Sequence, residues 1–267
     1  MRLREDNVCI RFSTYEDVLD GGGHLEIVQA LERLAEERFS AFRDLTQTRA
    51  PWRPLDGDLA PLRAHVGAGF HQTARFRLEA EHGALGPLEL NAGLHPYSGV
   101  YVTQVDARLG GALARERVAD LRALAVSWIE AFTPITLQVN DADDDAVQNI
   151  DMPRLAELGY GVSVPPEPEG RPGREAVRGQ YRFVPSWLGY LGSDALDLLG
   201  TRDALATLPD IECQDVAGGI LLELAPCPWP CGDETYRDRQ ARVRDAMGVD
   251  ALIARDRRSF SYWKRKQ

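Results

Sequence analysis

Apolar positions recur every three or four residues in two long stretches of the chain and alternate with polar ones in most of the others. Val28, Leu31, Ala35, Phe39 and Phe42 share one stripe of a helical surface, and this spacing predicts a helix over 24–45. Leu121, Ala125, Trp128 and Phe132 do the same for a helix over 114–132, where Trp128 and Phe132 read as core side chains rather than a binding box. "NVCIRFSTY" (7–15), rich in β-branched and aromatic residues, reads as a strand, and "FHQTARFRLEAE" (70–81) alternates like one. "PLELNAGLH" and "GVYVTQVDARL" read as a strand pair across "PYSG", and "PITLQVND" as the next strand. Pro, Gly and Asp crowd residues 50–58 into a loop.

A short helix is expected at "DMPRLAELGY". The second half repeats the alternation: "YRFVPSWLGYLG" as a strand, a helical "SDALDLLGTRDALATL", strands "IECQDVA" and "GGILLELA" meeting near Gly218 and Gly219, a helix over about 234–253, and "SFSYW" as a closing strand. "VPPEPEGRPGRE" breaks every pattern. The expected organisation is an α+β half at 1–163, a Pro/Gly-rich linker at 164–175 and a second α+β half at 176–267. The element order of each half fits antiparallel sheets with helices packed on one face, two ferredoxin-like units.

A chain of 267 residues buries enough core to fold without metal or disulfide staples. No apolar run reaches the roughly 20 residues of a membrane span, and "MRLREDNVCIRF" has no signal-peptide h-region, so a cytoplasmic protein is expected. A reducing cytosol then leaves Cys9, Cys213, Cys227 and Cys231 as thiols. The net charge of −10 argues against nucleic-acid binding by the whole surface and favours solubility, or a basic partner surface.

Catalytic motifs are absent from the sequence: no G-x-S-x-G, H-E-x-x-H, Walker loop or kinase signature set, so no catalytic residue and no cofactor is assigned. "GAG" at 67–69 lacks the third glycine and the helix of a dinucleotide fingerprint. His65 and His71, six apart in strand-like sequence, would stand roughly 20 Å apart, too far for one metal. They and His95 read as surface or loop residues; the remaining histidines are His24 and His82.

"DADDD" at 141–145 is the densest acidic run. Its spacing resembles a calcium loop, but the sixth and twelfth positions hold Ala146 and Met152 instead of Gly and Glu. The run reads as a solvated loop or helix start, or else as a docking patch, Asp141, Asp143, Asp144 and Asp145, for basic side chains of a partner. "CPWPCGD" (227–233) has three residues between its cysteines, and its prolines keep the chain extended. No second ligand pair accompanies it, so it carries no metal site. Pro226, Pro228 and Pro230 are expected to stop the preceding strand, and Gly232-Asp233 to launch the last helix. "RDRRSFSYWKRKQ" is basic and aromatic, a composition that suits either a charged closing strand or single-stranded nucleic acid.

One pattern is more specific. The aromatic-Leu-Gly segment Trp187, Leu188, Gly189, the helix ending "LGTRDAL", and "VAGGILLELAPCP" with Gly218, Gly219 and Pro226, followed by Gly232 and Asp233, resemble the type VI secretion immunity protein family over residues 180–250. The resemblance implies a non-enzymatic bacterial protein that binds and blocks a cognate effector toxin, with those residues as structural markers. It implies no metal or cofactor, and a toxin partner acting in the cytosol. Against it stand an enzyme of unrecognised type using carboxylates of 141–145 or His65, His71 and His95, and a nucleic-acid module using residues 255–267.

Overall fold

Strand β1 (Asn7–Thr14) carries apolar residues on both of its faces, and Val8, Cys9, Ile10 and Phe12 are all buried. A strand covered on both sides loses the simple alternation of a half-exposed one, as its sequence shows. The computed structural model of the chain describes residues 6–55, 57–67, 73–94, 101–144, 185–199, 201–228 and 233–248. Among them two compact units are present, one spanning Asn7–Pro134 and one beginning at Ile135. The division therefore places "ITLQVND" (135–141) in the second unit; the segment 164–175 lies outside the described residues.

The first unit runs β1, α1 (Gly23–Ala35), β2 (Phe39–Asp44), β3 (Arg53–Pro54), α2 (Ala60–Gly67), β4 (Thr73–Ala80), β5 (Leu85–Leu94), β6 (Tyr101–Gly110), α3 (Gly111–Glu116) and α4 (Val118–Phe132). Its strands lie in the order β3-β2-β4-β5-β6-β1, each pair antiparallel. The unit is α+β with an antiparallel sheet, the class expected from the order of its elements. Helix α1 packs on β5 and α4 and buries Leu25, Ile27, Val28, Leu31 and Leu34. Phe12 of β1 meets the helix α4 stripe, with its ring centroid 5.5 Å from Trp128 and 5.6 Å from Phe132. The Thr14 hydroxyl donates to the Phe132 carbonyl at 2.7 Å, satisfying one of the carbonyls that a helix end leaves open. Trp128 and Phe132 are core, as their spacing indicated.

Two expectations are corrected here. The helix predicted over 24–45 stops at Ala35, where Glu36 takes a left-handed conformation (φ 53°), and Phe39 and Phe42 belong to strand β2. Their three-residue spacing comes from an irregularity between Phe39 and Ala41: Phe39 faces Ala80 while Phe42 faces Leu78, two residues away on β4. The extra residue of the bulge puts both rings on one face of the sheet and so imitates a helical interval. The helix predicted over 114–132 begins at Gly111 and breaks at Arg117 (φ −109°, ψ 35°) into α3 and α4. Helix α2, with Leu62 and Val66 buried four residues apart, was not foreseen, since two turns give too few apolar positions to define a period.

The second unit runs β7 (Thr136–Asp141), β8 (Leu188–Leu191), α5 (Ser193–Leu199), α6 (Arg202–Ala206), β9 (Glu212–Val216), β10 (Gly219–Glu223) and α7 (Glu234–Met247). Its strand order is β7-β8-β10-β9, again antiparallel throughout. β9 and β10 are joined by a two-residue turn, Ala217 (φ 46°) and Gly218 (φ 80°), the backbone that a twisted hairpin favours. A Cβ on Gly219 would lie 2.3 Å from the Leu191 carbonyl oxygen and 2.4 Å from the Tyr190 hydroxyl, so only glycine fits where β10 crosses β8. Among the described residues no helix is long and apolar enough to cross a membrane.

Candidate functional site

Trp187 and the acidic run lie at the end of the second unit where β7 and β10 finish and β8 begins, whereas Gly218 and Gly219 lie at the opposite end of β10. β8 is anchored by Trp187, which is fully buried and donates its indole N–H to the Ala225 carbonyl at 2.8 Å. The Leu224 amide returns a bond to the Trp187 carbonyl at 2.9 Å, so pairing continues past the last residue of β10. Strand β10 itself ends at Glu223, ahead of Pro226, which lies in the bend that follows. Asp233 stands at the N-terminus of α7 and accepts the Tyr236 amide at 2.9 Å, the usual work of an aspartate N-cap. Gly232 and Cys231 lie outside the described residues; Cys9, Cys213 and Cys227 are not in disulfides.

Helix α7 is strongly polar, yet its positions Tyr236, Gln240, Val243, Arg244 and Met247 are buried. Their intervals of four and three place them on one side of the helix. The polar members of that stripe meet the end of β7. Tyr236 donates its hydroxyl to Asn140 Oδ1 at 3.0 Å. Gln240 Nε2 donates to Asp144 Oδ2 at 2.7 Å and to the Pro185 carbonyl at 2.8 Å. Arg237 Nη1 lies 2.8 Å from Asp144 Oδ1 and donates to Gln240 Oε1 at 2.8 Å. Asp144 has no exposed surface, so its charge is matched from within the protein. Burial, reinforced by the Asp144 charge, drives the Tyr236 phenol well above its ordinary range and keeps it a neutral donor.

Asp141 plays a different part. Its Oδ1 accepts the amides of Asp143 (2.9 Å) and Asp144 (3.2 Å), capping the helical residues that open at 142. Burial and then the nearby Asp143 charge push its pKa up to about 6, against the two amide bonds that favour the anion. The acidic run is thus not one uniform surface. Asp144 turns inward to Arg237, Asp141 caps a turn, Asp143 is half-buried, and Asp145 lies outside the described residues. Arg237, Gln240 and Tyr236 were not anticipated from the sequence. The signal that finds Tyr236 and Gln240 is the 236-240-243-247 spacing inside an otherwise hydrophilic helix; Arg237 lies off that spacing.

The histidines are dispersed. His24 of α1 is buried against Phe76, at 6.4 Å between ring centroids, with neither ring nitrogen hydrogen-bonded, and burial lowers its pKa. His65 lies on helix α2, not in a strand, and its Nε2 stands 3.4 Å from Asp44 Oδ2. Burial alone would raise the Asp44 pKa, but bonds from the Thr46 hydroxyl (2.6 Å) and amide (2.8 Å), together with His65, hold it below its ordinary value. His82 is exposed; His71 and His95, like residues 255–267, lie outside the described residues. Among the described residues no three His, Cys, Asp or Glu side chains are grouped so as to hold a metal ion.

No family model matches the chain, and no curated protein matches it. Among solved structures it is similar to the Pseudomonas aeruginosa T6SS protein PA0821, with a TM-score of 0.61 and 16% sequence identity. The likeness covers 91% of this chain and 73% of that one, and at this identity it establishes a shared fold.

Proposed function

We propose that this protein is an immunity protein that binds and neutralises a cognate type VI secretion effector, covering the toxin's active site without chemistry of its own. The observation that carries the reading is the shared fold with a type VI secretion protein along 91% of the chain. It joins the immunity-like motif of the second half, whose Trp187, Gly219 and Asp233 brace β8, β10 and α7. A rigid antiparallel scaffold presenting charged side chains suits steric blockade over a standard interface of about 1,600 Å². The site of action is the cytosol, against a toxin such as a nuclease or a nucleotide-modifying enzyme. Asp143 and Asp145 are then the acids of the 141–145 run that take the place of phosphates in a basic cleft, with Asp141 shaping their turn and Asp144 locking it to α7.

The test is co-expression with the effector encoded beside this gene. The reading expects growth to be restored and the two proteins to co-purify as a stable complex. A chain that neither rescues growth nor binds the purified effector refutes it.

A further inference from the structure

Strand β9 stands last in the second unit's strand order, with β10 on one side and no strand on the other among the described residues. Its turn is two residues long, so the flanking pair Val216 and Gly219 is hydrogen-bonded, and bonded and non-bonded pairs alternate from there along the hairpin. Gln214 and Glu212 therefore turn their backbone groups to Leu221 and Glu223 of β10. Cys213 and Asp215 turn theirs to the open side, where no backbone group among the described residues takes them up. All four residues from Glu212 to Asp215 are exposed. The usual protections of an edge are missing: β9 has five residues with no proline and no lysine, and its pairing with β10 contains no bulge. The outer strand of the first unit, β3, is by contrast two residues long and ends in Pro54. A regular, exposed edge with open donors and acceptors is a template on which an extended chain adds as a further strand.

The charges along this edge choose the occupant. From 203 to 236 the chain holds seven acids and no Lys, Arg or His. Glu212 stands directly opposite Glu223 in the hairpin, on the same face of the sheet, where like charges repel. Asp215 projects from the other face and is 81% exposed at its side chain. Arg202, the basic residue that borders the stretch, is tied to the turn: Nη1 reaches Asp215 Oδ1 and Nη2 the Gly218 carbonyl, each at 2.5 Å. A Lys or Arg set beside Glu212 relieves the repulsion across the hairpin. A second copy of this chain would instead lay one acidic stretch beside another, between molecules that each carry a net charge of −10.

We infer that the open edge of β9 is a docking strand for a basic, extended segment of a partner protein, which joins the second unit's sheet as its next strand. Bonds to the amides and carbonyls of Cys213 and Asp215 hold the added backbone. Selectivity comes from basic side chains beside Glu212 on one face and Asp215 on the other, and the same carboxylates turn away acidic strands. The inference rests on the immunity reading for the identity of the partner, the cognate effector.

The experiment mixes the full-length protein with the purified product of the adjoining effector gene, reading Kd by calorimetry and amide protection by hydrogen–deuterium exchange resolved to single residues. In the wild-type complex the Cys213 and Asp215 amides should exchange at least about tenfold more slowly than in the free protein. Cys213→Pro removes one outward amide and leaves the ladder to β10 in place, the edge position that proline tolerates. It should weaken Kd by about tenfold or more, whereas Cys213→Val, which keeps the amide, should stay within about threefold. Glu212→Lys should weaken Kd by about tenfold at low salt and less at physiological salt, while Glu26→Lys, the same exposed change on α1, should stay within about threefold. Far-UV circular dichroism and melting curves establish which variants are folded, and the exchange measurement on the wild type decides the inference even if Cys213→Pro is not. If the wild type binds and rescues growth while Cys213 and Asp215 exchange as fast in the complex as alone, the docking strand is refuted and the immunity reading stands. A folded Cys213→Pro that binds as tightly as the wild type has the same consequence. If the wild type does not bind the effector at all, both fail. A wild-type dimer in sedimentation that Cys213→Pro abolishes also overturns the inference, in favour of a second copy.

Discussion

Replacing Asp141 by Asn removes a charge from the acidic turn while keeping an oxygen that caps it. Asn accepts the amides of Asp143 and Asp144 as readily as Asp does, so the local structure should persist. What changes is the cost of holding an anion that is half removed from water and close to Asp143. The rise from the ordinary 3.8 to about 6 converts to about 3 kcal/mol at neutral pH. Residual solvent access, and the benefit of a negative charge at a helix start, reduce the net gain to about 1–2 kcal/mol. Because the folded-state pKa lies above the unfolded one, the folded protein binds the proton first as pH falls. The penalty is therefore complete above about pH 6 and fades between pH 6 and pH 4. Urea unfolding from pH 4 to pH 8 should show Asp141→Asn more stable than wild type at pH 8, with the two curves converging near pH 4. A variant less stable than wild type at pH 8, or a gain equally large at pH 4, refutes the reasoning.

Two further substitutions probe the second unit. Asp144→Ala strands the Arg237 guanidinium and takes away an acceptor of Gln240 Nε2, and should cost about 3–5 kcal/mol in urea unfolding. Combining it with Arg237→Ala should cost less than the sum, and a single-variant loss below about 1 kcal/mol would show that the pair is not a lock. Gly219→Ala should cost at least about 3 kcal/mol, because the Leu191 carbonyl oxygen it meets at 2.3 Å is backbone and moves only if β10 leaves β8. Gly218→Ala, one residue earlier in open space at φ 80°, should cost only about 1 kcal/mol; equal melting losses for the two would refute the distinction.

Much of the architecture was legible because each element carries its own period. The α4 stripe at Leu121, Ala125, Trp128 and Phe132 and the hairpin at Gly218-Gly219 are local patterns with local causes. Asp233 before α7 was legible for the same reason, since a cap depends on the three residues after it. The β2 bulge defeated the reading, because inserting a residue into a strand produces the three-residue interval that sequence periodicity assigns to a helix.

The functional surfaces were less legible. Four aspartates in five residues look alike in sequence, but the partners that sort them are distant in the chain. Asp144 meets Arg237 and Gln240, more than ninety residues on, whereas Asp141 accepts amides of its own turn. Likewise "IECQDVA" reads as a strand, and only its place at the end of the order β7-β8-β10-β9 turns the backbone groups of Cys213 and Asp215 to an open edge. The sequence by itself determined the α+β class, the principal helices and hairpins, and the motif of the second half, all of which depend on residues a few positions apart. Which charges are buried and matched was decided by the tertiary structure. Desolvation and ion pairing are set by neighbours in space, and the chain order does not encode them.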